Sequence, residues 1–80
     1  MQMSSFKNEI VSFSQFCKEQ QFFISIDKLQ TYFGYIESKK IKSFEEKIRY
    51  LYFLIPKDKD EKGKLKHLIS EYFNFKLEES

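Results

Sequence analysis

Histidine and cysteine are the side chains most readily turned to catalysis or metal binding, and this chain has one of each, His67 and Cys17. His67 stands between Lys66 and Leu68, just off an apolar helical stripe, with no H-x-x-x-H or C-x-x-C pattern around it. A metal site needs several ligands, so His67 reads as a surface or boundary residue. A protonation switch near neutral pH is the other chemistry open to it. Cys17 ends the helically spaced series Phe6, Ile10, Phe13, Cys17. A cysteine nucleophile needs a base and a setting that favours the thiolate. A Cys17–His67 pair across the core is geometrically conceivable, but a small, aromatic-rich domain is a poor place for a cleft, and Cys17 reads as core. A single cysteine also forms no internal disulfide.

Asp58, Asp60 and Glu61 crowd into the run KDKDEKGK, from Lys57 to Lys64. A calcium loop spreads its ligands over about twelve residues with a glycine at the sixth. Here Lys57, Lys59 and Lys62 are interleaved and would repel the ion, so the run reads as a solvated loop. No metal, no cofactor and no enzymatic activity is expected.

Lys39, Lys40, Lys42 and Arg49, with Lys47, could make a basic patch that binds nucleic acid through phosphates. Lys62, Lys64 and Lys66 would extend it if the two regions are adjacent. Against this stand the near-even charge, 14 basic to 12 acidic residues for a net of +2, and the presence of one arginine. Readers of DNA sequence lean on bidentate arginine contacts to guanine. An ordinary solvated face is the simpler expectation.

The aromatics carry the stronger signal: ten Phe and five Tyr. Helical geometry cannot turn Tyr32, Tyr35, Tyr50, Phe53 and Tyr72 all toward one small core, so some must lie at the surface. Tyrosine is enriched at interfaces because it joins apolar area to a polar tip, and a contiguous apolar patch on a small domain commonly marks a partner site. Tyr50 and Phe53 are the expected anchors, with Tyr35 next.

The elements that must position these residues read as four helices. The central one runs from Ser43 to Ile55. Ser43 and Glu46 form an S-x-x-E capping box, and Glu45 and Glu46 suit the positive end of the helix dipole. Phe44, Ile48, Leu51 and Ile55 share one face, Tyr52 widens it, and Phe53 and Leu54 carry apolar surface around the side. A helix apolar over most of its girth is expected to touch neighbours on several sides. Pro56 ends it by disfavouring helical geometry at Ile55.

Helix 1 is expected from about Ser5, as N-cap, to Gln20, after a frayed lead-in at residues 1 to 4. Phe22-Phe23-Ile24 reads as a buried plug, since no second strand pattern exists to pair with it. Helix 2 runs from about Ser25, its cap, to Glu37, with Ile26, Leu29, Phe33 and Ile36 inward and Tyr32 beside them. Gly34 within it suggests a close helix–helix approach. After the turn Glu37-Ser38-Lys39-Lys40, Ile41 tucks toward the core. Helix 4 runs from about Asp60 to Asn74, capped by Asp58 or Asp60, with Leu65, Leu68, Ile69, Tyr72 and Phe73 as its stripe. Phe75 and Leu77 fold back onto the core, and Glu78-Glu79-Ser80 is expected to be loose.

Eighty residues make one small domain whose marginal core is reinforced by large rings. Two glycines and one proline favour a few long elements. The expectation is an all-α, compact four-helix domain, either a small bundle or, given short uneven helices, an orthogonal array. The N-terminus lacks the apolar stretch of a signal peptide. The longest apolar run, Tyr50 to Ile55, is far short of the ~20 residues that cross a bilayer. A soluble, cytoplasmic protein or fragment is expected.

One order of features extends over about three quarters of the chain. A first helix ends in Phe13-x-x-Phe16-Cys17-Lys18-Glu19, a loop leads into Ile26-x-x-Leu29, and a third helix carries Ile48-x-x-Leu51. A charged Lys57-Asp58-Lys59-Asp60 link then leads to Leu65-x-x-Leu68-Ile69-x-x-Tyr72-Phe73. This order resembles the N-terminal helical region of CoxE-like von Willebrand factor A proteins, which are partners of MoxR-type AAA+ ATPases. The glycine expected after helix 1 is replaced by Gln21-Phe22. The family's metal-binding A domain, with its D-x-S-x-S motif, has no counterpart in these residues, so metal binding does not carry over. The resemblance implies a helical adaptor module, cut from or evolved apart from a larger protein, with a component of an AAA+ ATPase system as partner.

Three functions follow as expectations. The first is a non-enzymatic protein-interaction module using Tyr50, Phe53 and Tyr35, for which a homodimer is one outcome. The second is a small nucleic-acid-binding protein using Lys39, Lys40, Lys42 and Arg49. The third is a phage or mobile-element inhibitor that covers the surface of a host protein.

Overall fold

A computed structural model describes residues 3–77 as four α-helices: α1 (Met3–Glu19), α2 (Ile26–Ser38), α3 (Phe44–Leu54) and α4 (Lys59–Phe73). No strand occurs among the described residues, so the fold class is all-α. The chain is already helical at Met3, which places Ser5 inside the helix rather than at its cap. Met1, Gln2 and the tail Glu78, Glu79 and Ser80 lie outside the described residues.

Side-chain oxygens start three of the helices. Ser25 Oγ accepts from the Lys28 N–H at 3.2 Å and Ser43 Oγ from the Glu46 N–H at 3.3 Å. Asp58 Oδ1 accepts from the Glu61 N–H at 2.9 Å, and the Glu61 carboxylate accepts in turn from the Lys57 N–H at 2.9 Å. The bonds to Ser25, Ser43 and Asp58 each satisfy a main-chain donor that the first helical turn leaves free, and the Lys57 bond ties down the chain just ahead of the cap.

Three helices end at left-handed residues that are not glycine: Gln21 (φ 66°), Lys40 (φ 55°) and Asn74 (φ 55°). After α1, the Phe22 N–H returns to the Cys17 carbonyl at 2.8 Å and the Gln21 N–H to the Lys18 carbonyl at 3.0 Å. After α2, Ile41 and Lys40 repeat the pattern on the Ile36 and Glu37 carbonyls at 3.0 and 3.2 Å. This paired closure normally uses glycine, because a side chain costs roughly 1–2 kcal/mol there. What holds it here is the next residue: Phe22 is buried and Ile41 packs against the core.

α3 stops differently. Ile55 keeps helical dihedrals (φ −82°, ψ −45°) and donates to the Leu51 carbonyl at 3.1 Å. Pro56 therefore halts α3 by lacking an N–H, and does not push Ile55 out of helical geometry as expected. The Ile55 carbonyl instead accepts from the Lys28 ammonium at 2.9 Å, a cation placed at the negative end of the helix dipole.

α3 packs against both α2 and α4, and α1 closes on α4. The core draws Ile10, Phe13 and Cys17 from α1, Leu29, Tyr32 and Ile36 from α2, Ile48 and Leu51 from α3, and Leu65, Leu68 and Ile69 from α4. Ile55, Phe22, Ile24 and Leu77 seal it from the connections. Each large apolar side chain so buried contributes about 1.5–3 kcal/mol. Extents of 32 × 29 × 23 Å make a squat body rather than an elongated bundle.

Several stripes are rotated from expectation. Ile26 is 70% exposed, and Tyr32 takes the inward place, so the buried face of α2 is Leu29–Tyr32–Ile36. Phe44 is exposed on one side, yet its ring meets Phe6, Phe73 and Phe75 edge to face at 6.1, 5.6 and 6.4 Å. Phe73 continues to Phe13 at 5.1 Å, and Tyr72 packs on Phe13 and Phe16 at 5.4 and 5.2 Å. This run of rings absorbs about half the aromatics, each pair adding about 0.5–1.5 kcal/mol beyond area. Gly34 is not a close approach: a Cβ built there meets nothing within 4 Å. The Phe22–Ile24 plug is buried at its two ends only, because in an extended segment the middle side chain points the other way, and Phe23 faces out.

Candidate functional site

The residues suited to covalent chemistry are not brought together. Cys17 has no exposed surface, and burial pushes its thiol from about 9 up to about 12, so it stays protonated and inert at neutral pH. His67 is exposed on α4, with its Nε2 3.4 Å from the Glu71 carboxylate. The Cys17–His67 pair does not form. No cluster of three metal-ligating side chains occurs among the described residues. Of the candidate calcium ligands, Asp58 and Glu61 are engaged at the start of α4 and Asp60 lies in its first turn.

A small open hollow of about 190 Å³ lies where the α1–α2 connection meets the end of α3, lined by Phe22, Phe23, Ser25, Lys28, Ile55, Lys57 and Glu61. Its best-placed cation, Lys28, is already bound to the Ile55 carbonyl, and its carboxylate, Glu61, already accepts from the Lys57 N–H.

The three anchor residues, by contrast, do assemble. α2 presents Tyr35 to Tyr50 of α3, with ring centroids 5.3 Å apart and planes inclined at 45°. Both rings are half-buried, so they are less accessible than free anchors would be. Phe53 follows Tyr50 by three residues and Leu54 by four, which sets all three on one side of α3. Phe53 is 65% exposed and Leu54 is exposed along one edge. The result is a ridge, Tyr35–Tyr50–Phe53–Leu54, that starts on α2 and continues along α3.

A cation stands at each end of the ridge. The Lys39 ammonium lies 5.7 Å from the centre of the Tyr35 ring. The Lys62 ammonium, from α4, lies 5.2 Å from the Phe53 ring and 5.3 Å from the Tyr52 ring. These are cation–π distances. The ion pairs Lys7–Glu37, Arg49–Glu45 and His67–Glu71 use other groups, and neither Lys39 nor Lys62 has a carboxylate partner among the described residues.

The candidate phosphate contacts Lys39, Lys40, Lys42 and Arg49 are all exposed. Lys40 occupies the left-handed stop of α2, and Arg49 reaches Glu45 at 3.5 Å. Glu45 and Glu46 are exposed between these basic groups, so the face is mixed in sign.

Sequence reasoning missed the exposure of Phe23 and Ile26, and placed Lys62 in a basic patch rather than over the Phe53 ring. The alternation along Phe22-Phe23-Ile24 held the signal for Phe23; Lys62 needed the packing of α4 on α3. No helix is long and apolar enough to cross a membrane among the described residues. No protein-family model, curated protein or solved structure matches the chain.

Proposed function

We propose that this domain is a non-enzymatic interaction module that docks a second protein along the Tyr35–Tyr50–Phe53–Leu54 ridge. The observation that carries the reading is Phe53, a large aromatic left 65% exposed in register with the Tyr35–Tyr50 pair. An apolar centre with aromatic anchors inside a charged rim is the anatomy of a protein interface. Half-buried tyrosines are held in one orientation by their mutual packing, so little side-chain entropy is lost on docking. The resemblance to the CoxE-like helical region points the same way, toward a component of an AAA+ ATPase system. A cytoplasmic setting accords with the free thiol of Cys17.

Replacing Phe53 with a photo-crosslinking phenylalanine analogue tests this in the native cell, with the same probe at exposed Gln15 on α1 as control. The expected result is an adduct to a different polypeptide from position 53 and none from position 15. Nuclease-sensitive adducts, adducts of twice the chain's own mass, or equal labelling from both positions would each overturn it.

A further inference from the structure

We infer that the occupant of the ridge is an acidic amphipathic helix, whose carboxylates meet Lys39 and Lys62 while its apolar stripe covers Tyr50, Phe53 and Leu54. The inference rests on the ridge being the docking surface and adds the chemistry of what docks.

The charges favour this occupant. Lys39 and Lys62 hold their ammonium groups over ring faces with no carboxylate partner among the described residues. Covering the rings with an uncharged surface would strip water from both cations and give nothing back. A partner carboxylate at each end offsets that loss and fixes the register of the contact.

A second copy of the chain fits badly. In a two-fold contact each patch meets itself. Lys39 and Lys62 stand at the two ends of the ridge, so two-fold pairing about its centre would bring Lys39 of one copy near Lys62 of the other, two like charges. Nucleic acid fits badly as well. Its phosphates repeat along the whole strand, whereas Glu45 and Glu46 are exposed on the same helix. A protein can place its carboxylates only where the lysines stand.

The geometry favours a helix. No strand edge exists among the described residues for an extended peptide to join. The anchors at i, i+3 and i+4 on α3 form the kind of row that packs into the groove of another helix.

The test is a displayed library of random peptides about four helical turns long, panned against the whole chain. The selected consensus is then measured by fluorescence anisotropy against wild type, Phe53→Ala and Lys39→Glu/Lys62→Glu, all checked for unchanged circular dichroism. The expected consensus is acidic, with apolar residues at helical spacing. Its affinity should fall by about tenfold or more in each variant, and added salt should weaken wild type more than the double lysine variant. Neutral or basic peptides that still depend on Phe53 would overturn the acidic-helix inference and leave the docking surface standing. Peptides indifferent to Phe53→Ala, or no enrichment at all, would overturn both.

Discussion

The phenol of Tyr32, fully buried in α2, donates a 2.6 Å hydrogen bond to the main-chain carbonyl of Lys47 in α3. The bond solves the problem that a buried tyrosine poses, since its ring belongs in the core and its hydroxyl does not. It also ties the two helices that build the ridge. Tyr32→Phe keeps the ring and removes the bond, so it should destabilise the domain by about 0.5–1.5 kcal/mol. The check is a urea titration in which the midpoint falls and the slope stays constant. An unchanged midpoint would mean that the bond adds nothing net.

Cys17 makes stability depend on alkaline pH. Unfolded, the thiol ionises near its ordinary value of about 9; folded, burial holds it protonated to about 12. Between those values the unfolded chain releases a proton that the folded chain keeps, so stability falls as pH rises from about 9 toward 12. Below about 9 this group contributes no slope. Burial raises the Tyr32 phenol too, which adds a loss of the same sign at still higher pH. Urea midpoints across this range should drop less steeply in Cys17→Ala than in wild type. Parallel curves would show that the thiol is not protected. Alkylation of the folded protein should be slow for the same reason, and fast once urea is added.

Gly34 and Gly63 both sit in helices with open space where a Cβ would go. Replacing each with alanine should stabilise the domain by about 1 kcal/mol. In a domain this small that corresponds to roughly 4–8 °C in Tm per substitution. A fall in Tm for Gly34→Ala would restore the close-approach reading of that residue.

At the left-handed helix stops the sign is reversed, and glycine should be the better residue. Gln21→Gly and Lys40→Gly should each stabilise by up to about 1 kcal/mol, since each relieves a side chain at positive φ. Gly and Ala scanned at both positions would separate relief of strain from loss of a side chain, with alanine expected to match the native residue and glycine to exceed it.

Phe53 and Tyr50 should part company when truncated. Phe53→Ala removes a ring that is mostly in water and should change stability by less than about 0.5 kcal/mol. Tyr50→Ala removes the tilted contact with Tyr35 and should cost roughly 1–2 kcal/mol. Paired thermal melts decide this. Equal costs would place Phe53 in the core rather than at an interface.

The helices were legible in the sequence because their signals are local. Ser25, Ser43 and Asp58 announce their caps by type and spacing, and the period of Ile48, Leu51 and Ile55 gives a face. Rotation was not legible. Ile26 and Tyr32 lie on α2 about a turn and a half apart, and which of them turns inward depends on whether a carbonyl of α3 waits for the tyrosine hydroxyl. The start of α1 was misplaced because Ser5, a residue type common at caps, lies inside the helix, whereas its stop near Gln20-Gln21 was legible without a glycine, and only the burial of Phe22 that holds it was not. At the candidate site, Tyr35, Tyr50 and Phe53 could be named from composition and helical register. That Tyr35 would pack against Tyr50, and that Lys62 would reach from α4 over Phe53, are tertiary facts with no trace in local pattern.

The ring of Phe44 has a second consequence. Phe6, early in α1, and Phe75, beyond the end of α4, both rest against it, at 6.1 and 6.4 Å. The two outer segments of the chain therefore meet over one side chain at the start of α3. The order in which the helices are threaded is then a convention of the gene more than a need of the core. A short linker joining the segments that carry Phe6 and Phe75, with the chain opened instead in the exposed turn around Lys40, would present the same four helices to one another. The same closeness would let the whole domain sit as an insert in a loop of another protein without prying that loop apart.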